Sequence, residues 1–354
     1  MNINEKIPKP YLVFTGNAKD YKQAKTACGL VEWRPEFCSG QLVLDSFEGL
    51  RFSELRPFSS FEEAVDEGAK TLLLGFSPFS SDLPKEYYDV VIEAMRNGLH
   101  VASGLHNKLE DHPLLEGAAL KYGVAIYDFR HREATFQKGS GIPREGKRLL
   151  TVGTDCACGK KYTALSISRS LDELRVPNNF RSTGQTGFLI SESGINNDTI
   201  PADFLTGAAE WLTPPNNPYH WDVIEGQGAL SHPSFCAGSM SLIYGTRPDM
   251  IVMCHDPVRG TQRGITRPVP PVREEIEYVL AIARRVNPDC KLGAISLFQK
   301  DMPSSKARRK LEQELRDEFN VPVFDPKYRH NYKSYSDFID ELKQISDEAR
   351  NGRQ

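Results

Sequence analysis

Gly153, Thr154, Asp155, Cys156, Ala157, Cys158, Gly159 and Lys160 follow the apolar run 148–152 and lead into a helical pattern over 162–174. That order of strand, loop, lysine and helix is the chemistry of phosphate binding. Small residues between two glycines let successive backbone N–H groups turn into one concavity. The following helix adds the positive end of its dipole, and a lysine reaches the outer phosphate oxygens. Two departures shape the expectation. Five residues, not the usual four, separate the glycines, and Lys161 stands where Ser or Thr would ligate Mg²⁺. Thr163 lies roughly 200° around the helix from Lys161, so it is a poor substitute. Residues 153–161 and Thr163 are therefore expected to hold a phosphate-bearing ligand without the usual metal. Cys156 and Cys158 read as small loop residues rather than a metal pair, and no metal site is expected.

Further residues could act beside this loop. An apolar strand ends in Glu225, Gly226, Gln227 and Gly228. An acid at such a strand end can orient water or a metal, or cap a helix. His232 follows seven residues later, and His255 ends the next strand. An imidazole at either place could serve as general base. The segment Arg181, Ser182, Thr183, Gly184, Gln185, Thr186, Gly187 offers hydroxyls and amides, and Arg259, Arg263 and Arg267 form a basic stretch able to clamp an anion. In the first half, His106 sits just past a strand.

These residues need a scaffold that gathers strand ends. Before the loop, short apolar runs at 11–14, 41–44, 71–75, 100–102 and 124–128 alternate with helical patterns at 23–33, 61–67 and 86–97. Alternation of this kind predicts a parallel, doubly wound sheet, whose ligands sit at the strand C-terminal ends. Only Gly16 of the dinucleotide fingerprint is present, although Asp45 occupies the place of a ribose-binding acid. A Rossmann-like shell with another task is the better expectation. A polar stretch at about 131–147 reads as the linker. Beyond it, strands at 223–225, 250–254 and 291–297 and helices at 273–286, 304–319 and 334–349 predict a second α/β domain. The expected architecture is thus α/β in two domains: a Rossmann-like parallel sheet over 1–143 and a P-loop NTPase-like three-layer α/β/α unit over 148–350.

Composition bounds the function. A chain of 354 residues, 39% hydrophobic and 26% charged, has ample core for two domains. A net charge of −3 argues against nucleic acid or anionic lipid as partner. No apolar run approaches the roughly 20 residues of a membrane helix. The opening residues lack a signal-peptide core, and seven cysteines without framework spacing suit a reducing cytoplasm. A cytoplasmic protein acting on a small molecule is expected, and a homo-oligomer is compatible with this.

The loop together with Glu225 and Gly228 resembles dethiobiotin synthetase, which activates its substrate with ATP. A wider set covers nearly the whole chain. Ala24–Leu30, Ser103–His106, Val152–Lys160, Thr183–Gly187, Asp203-Phe204, Glu225–Gly228, His232-Pro233, Cys254-His255 and Arg263-Gly264 are similar to a widespread bacterial and archaeal family known as a domain of unknown function. That family has a Rossmann-like N-terminal domain and a P-loop C-terminal domain, and its characterised relatives are D-glutamate N-acetyltransferases. The resemblance implies acetyl transfer from acetyl-CoA to the amine of an acidic amino acid, with the coenzyme diphosphate in the loop. It carries His232, His255 and Glu225 into catalysis, and Gln185, Thr186, Gln227, Arg263 and His106 into substrate binding. The family's Met-Thr-Thr after the lysine is Lys161, Tyr162, Thr163 here, and an expected Asn is Leu297. An ATP- and Mg²⁺-dependent ligase or kinase is the alternative, and a non-enzymatic nucleotide-binding protein a third.

Overall fold

The computed structural model describes residues 6–21, 23–76, 82–131, 134–298 and 304–352. The residues read for a leader, 1–5, and two of the expected linker, 132 and 133, lie outside them. The chain forms two compact units. The first runs to Thr135 and adds Gly184–Thr199; the second comprises Phe136–Thr183 and the chain from Ile200 onward. Among the described residues no helix is long and apolar enough to cross a membrane.

The first unit is built on β1 (Tyr11–Phe14), β2 (Cys38–Leu42), β3 (Pro57–Phe58), β4 (Thr71–Leu74), β5 (His100–Ser103) and β6 (Ile126–Asp128). They form one parallel sheet in the order β3-β2-β1-β4-β5-β6. Helices α1 (Lys25–Trp33), α2 (Phe61–Asp66), α3 (Tyr88–Arg96) and α4 (Pro113–Tyr122) supply the crossovers. Because both faces are covered, β1 and β4 are apolar at nearly every position and fully buried. Alternate residues feed different cores: Leu12, Phe14, Leu72 and Leu74 on one face, Tyr11, Leu73 and Ala102 on the other. Local signals agree with these boundaries. The Ser60 hydroxyl accepts the Glu63 amide at 3.2 Å to start α2, and Gly123 ends α4 in the left-handed region at φ +67°. β2 starts earlier than its apolar residues suggest. Its place is fixed by pairing with β1 and by Gly40, where a Cβ would lie 2.4 Å from the Arg56 carbonyl.

The first β–α turn, where a dinucleotide would lie in a Rossmann fold, is packed with aromatic rings. The Tyr87 hydroxyl accepts the Asn17 amide at 3.0 Å, and a Cβ on Gly16 would meet the Tyr87 ring at 2.7 Å. Phe14, Phe47 and Phe76 close around Tyr87 with ring centroids 4.8–5.7 Å from it. Asp45 lies in the turn beyond β2.

The second unit holds β7 (Lys147–Gly153), β8 (Asn178–Arg181), β9 (Trp221–Ile224), β10 (Met250–His255), β11 (Lys291–Leu297) and β12 (Val323–Phe324). They form a parallel sheet in the order β12-β11-β10-β7-β9-β8. The helices along this part of the chain are α5 (Lys160–Glu173), α6 (Gln185–Ser191), α7 (Ala202–Leu212), α8 (Cys236–Thr246), α9 (Val272–Val286), α10 (Ser305–Phe319) and α11 (Lys333–Asn351). One face buries Leu149 and Val252 under α5 and α11; the other buries Leu150, Val152, Ile251 and Met253 under α8 and α9. β7 lies between β9 and β10, so chain order reverses beside it and the phosphate loop leaves the sheet at that switch point.

Several parts of the chain escape apolar periodicity. Helices α7 and α8 touch through small residues: a Cβ on Gly245 would lie 2.3 Å from the Thr206 carbonyl. The stretch read as linker runs along α7 instead of spanning free, with the Ser140 and Gly141 amides donating to Glu210 at 2.9 and 2.7 Å. Helix α6, read as a loop of the second domain, belongs to the first unit, where Phe188 and Leu189 pack with Tyr11, Leu30 and Phe129.

Trp221 ties the second unit together. It is 1% exposed, and its Nε1 donates to the Leu342 carbonyl of α11 at 3.1 Å. Trp221→Ala should therefore destabilise the protein by about 3–5 kcal/mol through cavity and lost hydrogen bond. Urea denaturation checks this, and a loss below about 1 kcal/mol would mean that α11 does not depend on the ring.

Candidate active site

The loop after β7 has the backbone of an anion cradle. Ala157 and Gly159 lie in the left-handed region at φ +51° and +99°, and this alternation turns successive amides inward. Among the described residues, the amides of Asp155 through Lys160 donate to no protein acceptor, whereas Thr154 N–H is held by the Cys254 carbonyl at 3.1 Å. Unclaimed donors at the start of a fourteen-residue helix suit a diphosphate.

Two glycines make the slot for the lysine. A Cβ on Gly153 would lie 3.2 Å from Lys160 Nζ, and one on Gly226 would lie 3.0 Å from its Cδ and 1.7 Å from the Thr151 carbonyl. Lys160 is 6% exposed and folds over its own loop, with Nζ donating to the Asp155 carbonyl at 2.7 Å. Cys158 is buried beneath it with Sγ 3.0 Å from the same carbonyl. Lys161, the second residue of α5, is half-buried. Thr163, grouped from sequence with the ligand-binding residues, faces the sheet instead. It is fully buried, and its hydroxyl bonds the Gly159 carbonyl at 3.0 Å and the Ser296 hydroxyl at 2.8 Å.

Asp155 does not point at the ligand side either. It is 1% exposed, and its Oδ2 accepts Arg259 Nη1 and the Arg263 amide, each at 2.9 Å. The Arg259 guanidinium also donates to the loop carbonyls of Cys156 and, at 3.1 Å, Ala157, and pairs with Asp256 at 2.9 Å. Arg263 thus serves through its backbone, and its guanidinium is exposed.

The two histidines differ sharply. His232 is fully buried; its Nδ1 accepts the Ser234 amide at 3.2 Å, so Nε2 carries the proton that goes to the Arg263 carbonyl at 3.1 Å. Both nitrogens are committed, and the ring braces two loops. Asp155, Cys156 and His232 offer ligand atoms within 4.8 Å of one another. His232 Nε2 is directed to the Arg263 carbonyl and Asp155 Oδ2 to Arg259, whereas Asp155 Oδ1 is buried with no hydrogen-bond partner among the described residues. His255 holds Thr154 Oγ1 through Nδ1 at 2.9 Å, and Nε2 has no hydrogen-bond partner among the described residues. Burial lowers its pKa to about 4, opposed by Asp256 and aided by Arg259.

Glu225 is 5% exposed and oriented by the Thr183 amide, which donates to Oε2 at 3.1 Å. Gln227 Nε2 donates to the Thr183 hydroxyl at 3.0 Å, so Thr183, Glu225 and Gln227 form one corner of the second unit. Gln185, Thr186 and His106 belong to the first unit. Leu297 is a fully buried core residue. Sequence reasoning passed over Glu275, which is 1% exposed on α9 and receives the Ser231 amide at 3.3 Å and the Ser231 hydroxyl. Its signal was available: it falls on the stripe of Ile276, Val279 and Ala283, where an acid is out of place. Burial raises its pKa, and its hydrogen bonds to Ser231 oppose the shift.

Comparison with known proteins places these features in context. Residues 136–333 match a domain of unknown function described as the DUF1611 P-loop domain, and residues 38–132 match its Rossmann-like N-terminal partner. A D-glutamate N-acetyltransferase of Pseudoalteromonas is 41% identical over 90% of this chain and 96% of its own length. A second protein of that name, from Tritonibacter scottomollicae, is 39% identical over 92% of this chain and 96% of its own. The crystal structure of a DUF1611 family protein from Anabaena variabilis superposes with a TM-score of 0.81 at 23% identity, covering 94% of this chain and all of that one.

The half-buried imidazole of His255 makes stability depend on pH. Its folded pKa of about 4 lies below the ordinary 6.5, so the folded state favours the neutral ring. The contribution is complete above pH 6.5 and is lost as pH falls toward 4. His255→Gln should flatten the stability profile in that window, measured by denaturant midpoint against pH. Parallel profiles for variant and wild type would rule out a depressed pKa.

Proposed function

The chain belongs to the DUF1611 family, and from that premise we propose that it is an N-acetyltransferase that moves an acetyl group from acetyl-CoA to the amine of D-glutamate or a close acidic relative. The enzymatic class rests on relatives about 40% identical over nine-tenths of the chain. The observation that carries the donor is the pairing of six unclaimed loop amides with no hydroxyl placed for Mg²⁺. Lys161 replaces the usual hydroxyl, and Thr163 is spent on Ser296 and Gly159. A coenzyme A diphosphate needs the amides and Lys160 but no metal, whereas phosphoryl transfer from ATP needs the metal.

In this reading the diphosphate lies on the amides of residues 155–160, and Lys160 swings from the Asp155 carbonyl to a phosphate oxygen. Gly153 and Gly226 leave the lysine room to move. Arg259 holds the loop from behind through Asp155 and the carbonyls. The acceptor ammonium must lose a proton before its nitrogen attacks the thioester carbon; the C–S bond then breaks and the coenzyme thiol leaves. His255 is the base on this account, because its Nε2 is uncommitted and its depressed pKa keeps the ring neutral near pH 7. Thr154 fixes the ring's orientation. His232 braces the loops, and Glu225 with Gln227 positions the acceptor.

Lys160→Ala should weaken coenzyme A binding roughly 10- to 100-fold, the scale of a lost charged hydrogen bond. Calorimetric titration measures this, and equal affinity would remove the loop from donor binding. Turnover of acetyl-CoA and D-glutamate should persist in excess chelator; strict Mg²⁺ dependence with ATP consumption would support the ligase or kinase alternative.

His255→Gln should lower kcat about 10²-fold, the lower range for a lost general base, with KM for acetyl-CoA little changed. His232→Gln should act mainly on stability. A reversal of these two outcomes would exchange the roles of the histidines.

A further inference from the structure

The first unit carries a second polar centre, at the C-terminal ends of β5 and β6, that the donor loop does not explain. Arg130 follows β6, and its side chain is 12% exposed. Nη1 donates to Gln185 Oε1 at 2.7 Å, and Nη2 pairs with Asp198, a residue whose side chain is 57% exposed. The guanidinium is thus fixed on one edge by a neutral amide and met on the other by a solvent-facing carboxylate. The backbone around it is held rigidly, with Asn196 Nδ2 donating to the carbonyls of Phe129 and Arg130 at 2.6 and 3.0 Å. The loop after β5 closes against the same group: a Cβ on Gly104 would lie 3.3 Å from Gln185 Cδ. His106, on that loop, has its pKa lowered by desolvation first and by Arg130 next, with Asp198 opposing and His131 and Lys25 adding.

The same corner concentrates unsatisfied polar atoms. Of the five buried side-chain atoms in this unit that lack a hydrogen-bond partner among the described residues, four belong to Asn196, which bonds the Arg130 carbonyl, and to the chain neighbours of Arg130, Gln185 and Asp198: His131 Nε2, Thr186 Oγ1, Asn196 Oδ1 and Asn197 Oδ1. Thr186 and Asn196 are each 3% exposed and Asn197 6%. Buried groups left unpaired call for a ligand or ordered water. A planar guanidinium with one fixed edge, and one edge covered by a surface acid, is suited to exchange that acid for a carboxylate from solution.

We propose that Arg130 is the anchor of a binding site in the first unit for a carboxylate of a small acidic amino acid, with Asp198 as the internal group the ligand displaces. The proposal rests on the acyl-transfer reading only for the identity of the ligand. Asp198 keeps the arginine paired when no ligand is bound, and the incoming carboxylate takes its place in the fork.

The test uses the full chain with D-glutamate as substrate and glutarate, which lacks the amine, as a non-reacting probe. Arg130→Gln should raise KM for D-glutamate and Kd for glutarate roughly 30-fold or more, the scale of removing one partner of a buried charge pair. KM for acetyl-CoA and the unfolding midpoint should stay near wild type. Asp198→Asn, at an exposed position, should do the opposite and tighten both by about threefold or more as the competitor is neutralised. Competition of glutarate with D-glutamate identifies the ligand as the acceptor itself; non-competitive inhibition that still requires Arg130 identifies a regulatory carboxylate at the same site. If the wild type acetylates D-glutamate and neither variant moves KM or Kd, the site is overturned while the acyl-transfer reading survives. If the wild type binds glutarate through Arg130 but acetylates no amine, the site stands and that reading fails.

Discussion

The shape of the loop after β7 depends on one buried charge. Asp155 sits under the loop with almost no exposure, and Arg259 with the Arg263 amide satisfies one of its oxygens. Burying a carboxylate costs several kcal/mol unless it is paired, and removing one partner of such a pair typically costs about 3–5 kcal/mol. The arginine spends its remaining donors on the carbonyls of Cys156 and Ala157. Those bonds turn the carbonyls away from the cradle and leave the amides facing in. A loop lined by its own carbonyls would repel an anion. The ion pair therefore favours amides over carbonyls on the inner side of the loop, and the lysine slot between Gly153 and Gly226 lies beside that backbone path.

This arrangement separates residues that hold the site from residues that can meet a ligand. His232 and Asp155 stand next to the loop in sequence or space, yet both turn their polar atoms into the protein. His255 and the loop amides keep unclaimed groups. Glu275 adds a buried acid that steadies the turn carrying His232 through Ser231. Charge near the loop is thus arranged in a bracing layer behind the backbone, and the uncommitted amides and imidazole nitrogen belong to other groups.

Much of the fold was legible because it obeys simple periods. β11 runs over the residues its apolar pattern marks, and α9, α10 and α11 show stripes that one buried face requires. The strand, loop, lysine and helix order located the turn from β7 into α5. The failures share a cause, which is contact made by residues that carry no hydrophobic signal. Helices α7 and α8 meet through Gly245 and Ala209, so their closeness erases the pattern that would reveal them. Side-chain roles were less visible than positions. Nothing in the order of residues shows that the Ser234 amide occupies one nitrogen of His232, or that Thr163 turns toward Ser296. Arg130 carries no motif, because its significance comes from Gln185 and Asp198, which are distant in the chain.

The segment from Gly184 to Thr199 has a consequence for how the molecule is made. It is encoded between β8 and β9 of the second unit, yet Phe188 and Leu189 complete a core of the first. A ribosome therefore releases the six strands of the first sheet well before the residues that seal one of its faces. When those residues emerge, β7, the loop after it and β8 have already been synthesised. Neither unit is a continuous stretch of gene, so recombination that exchanged one P-loop domain for another would also exchange a wall of the Rossmann-like unit. The two halves are bound to a common ancestry by the path of the chain, and they would be inherited as a single module.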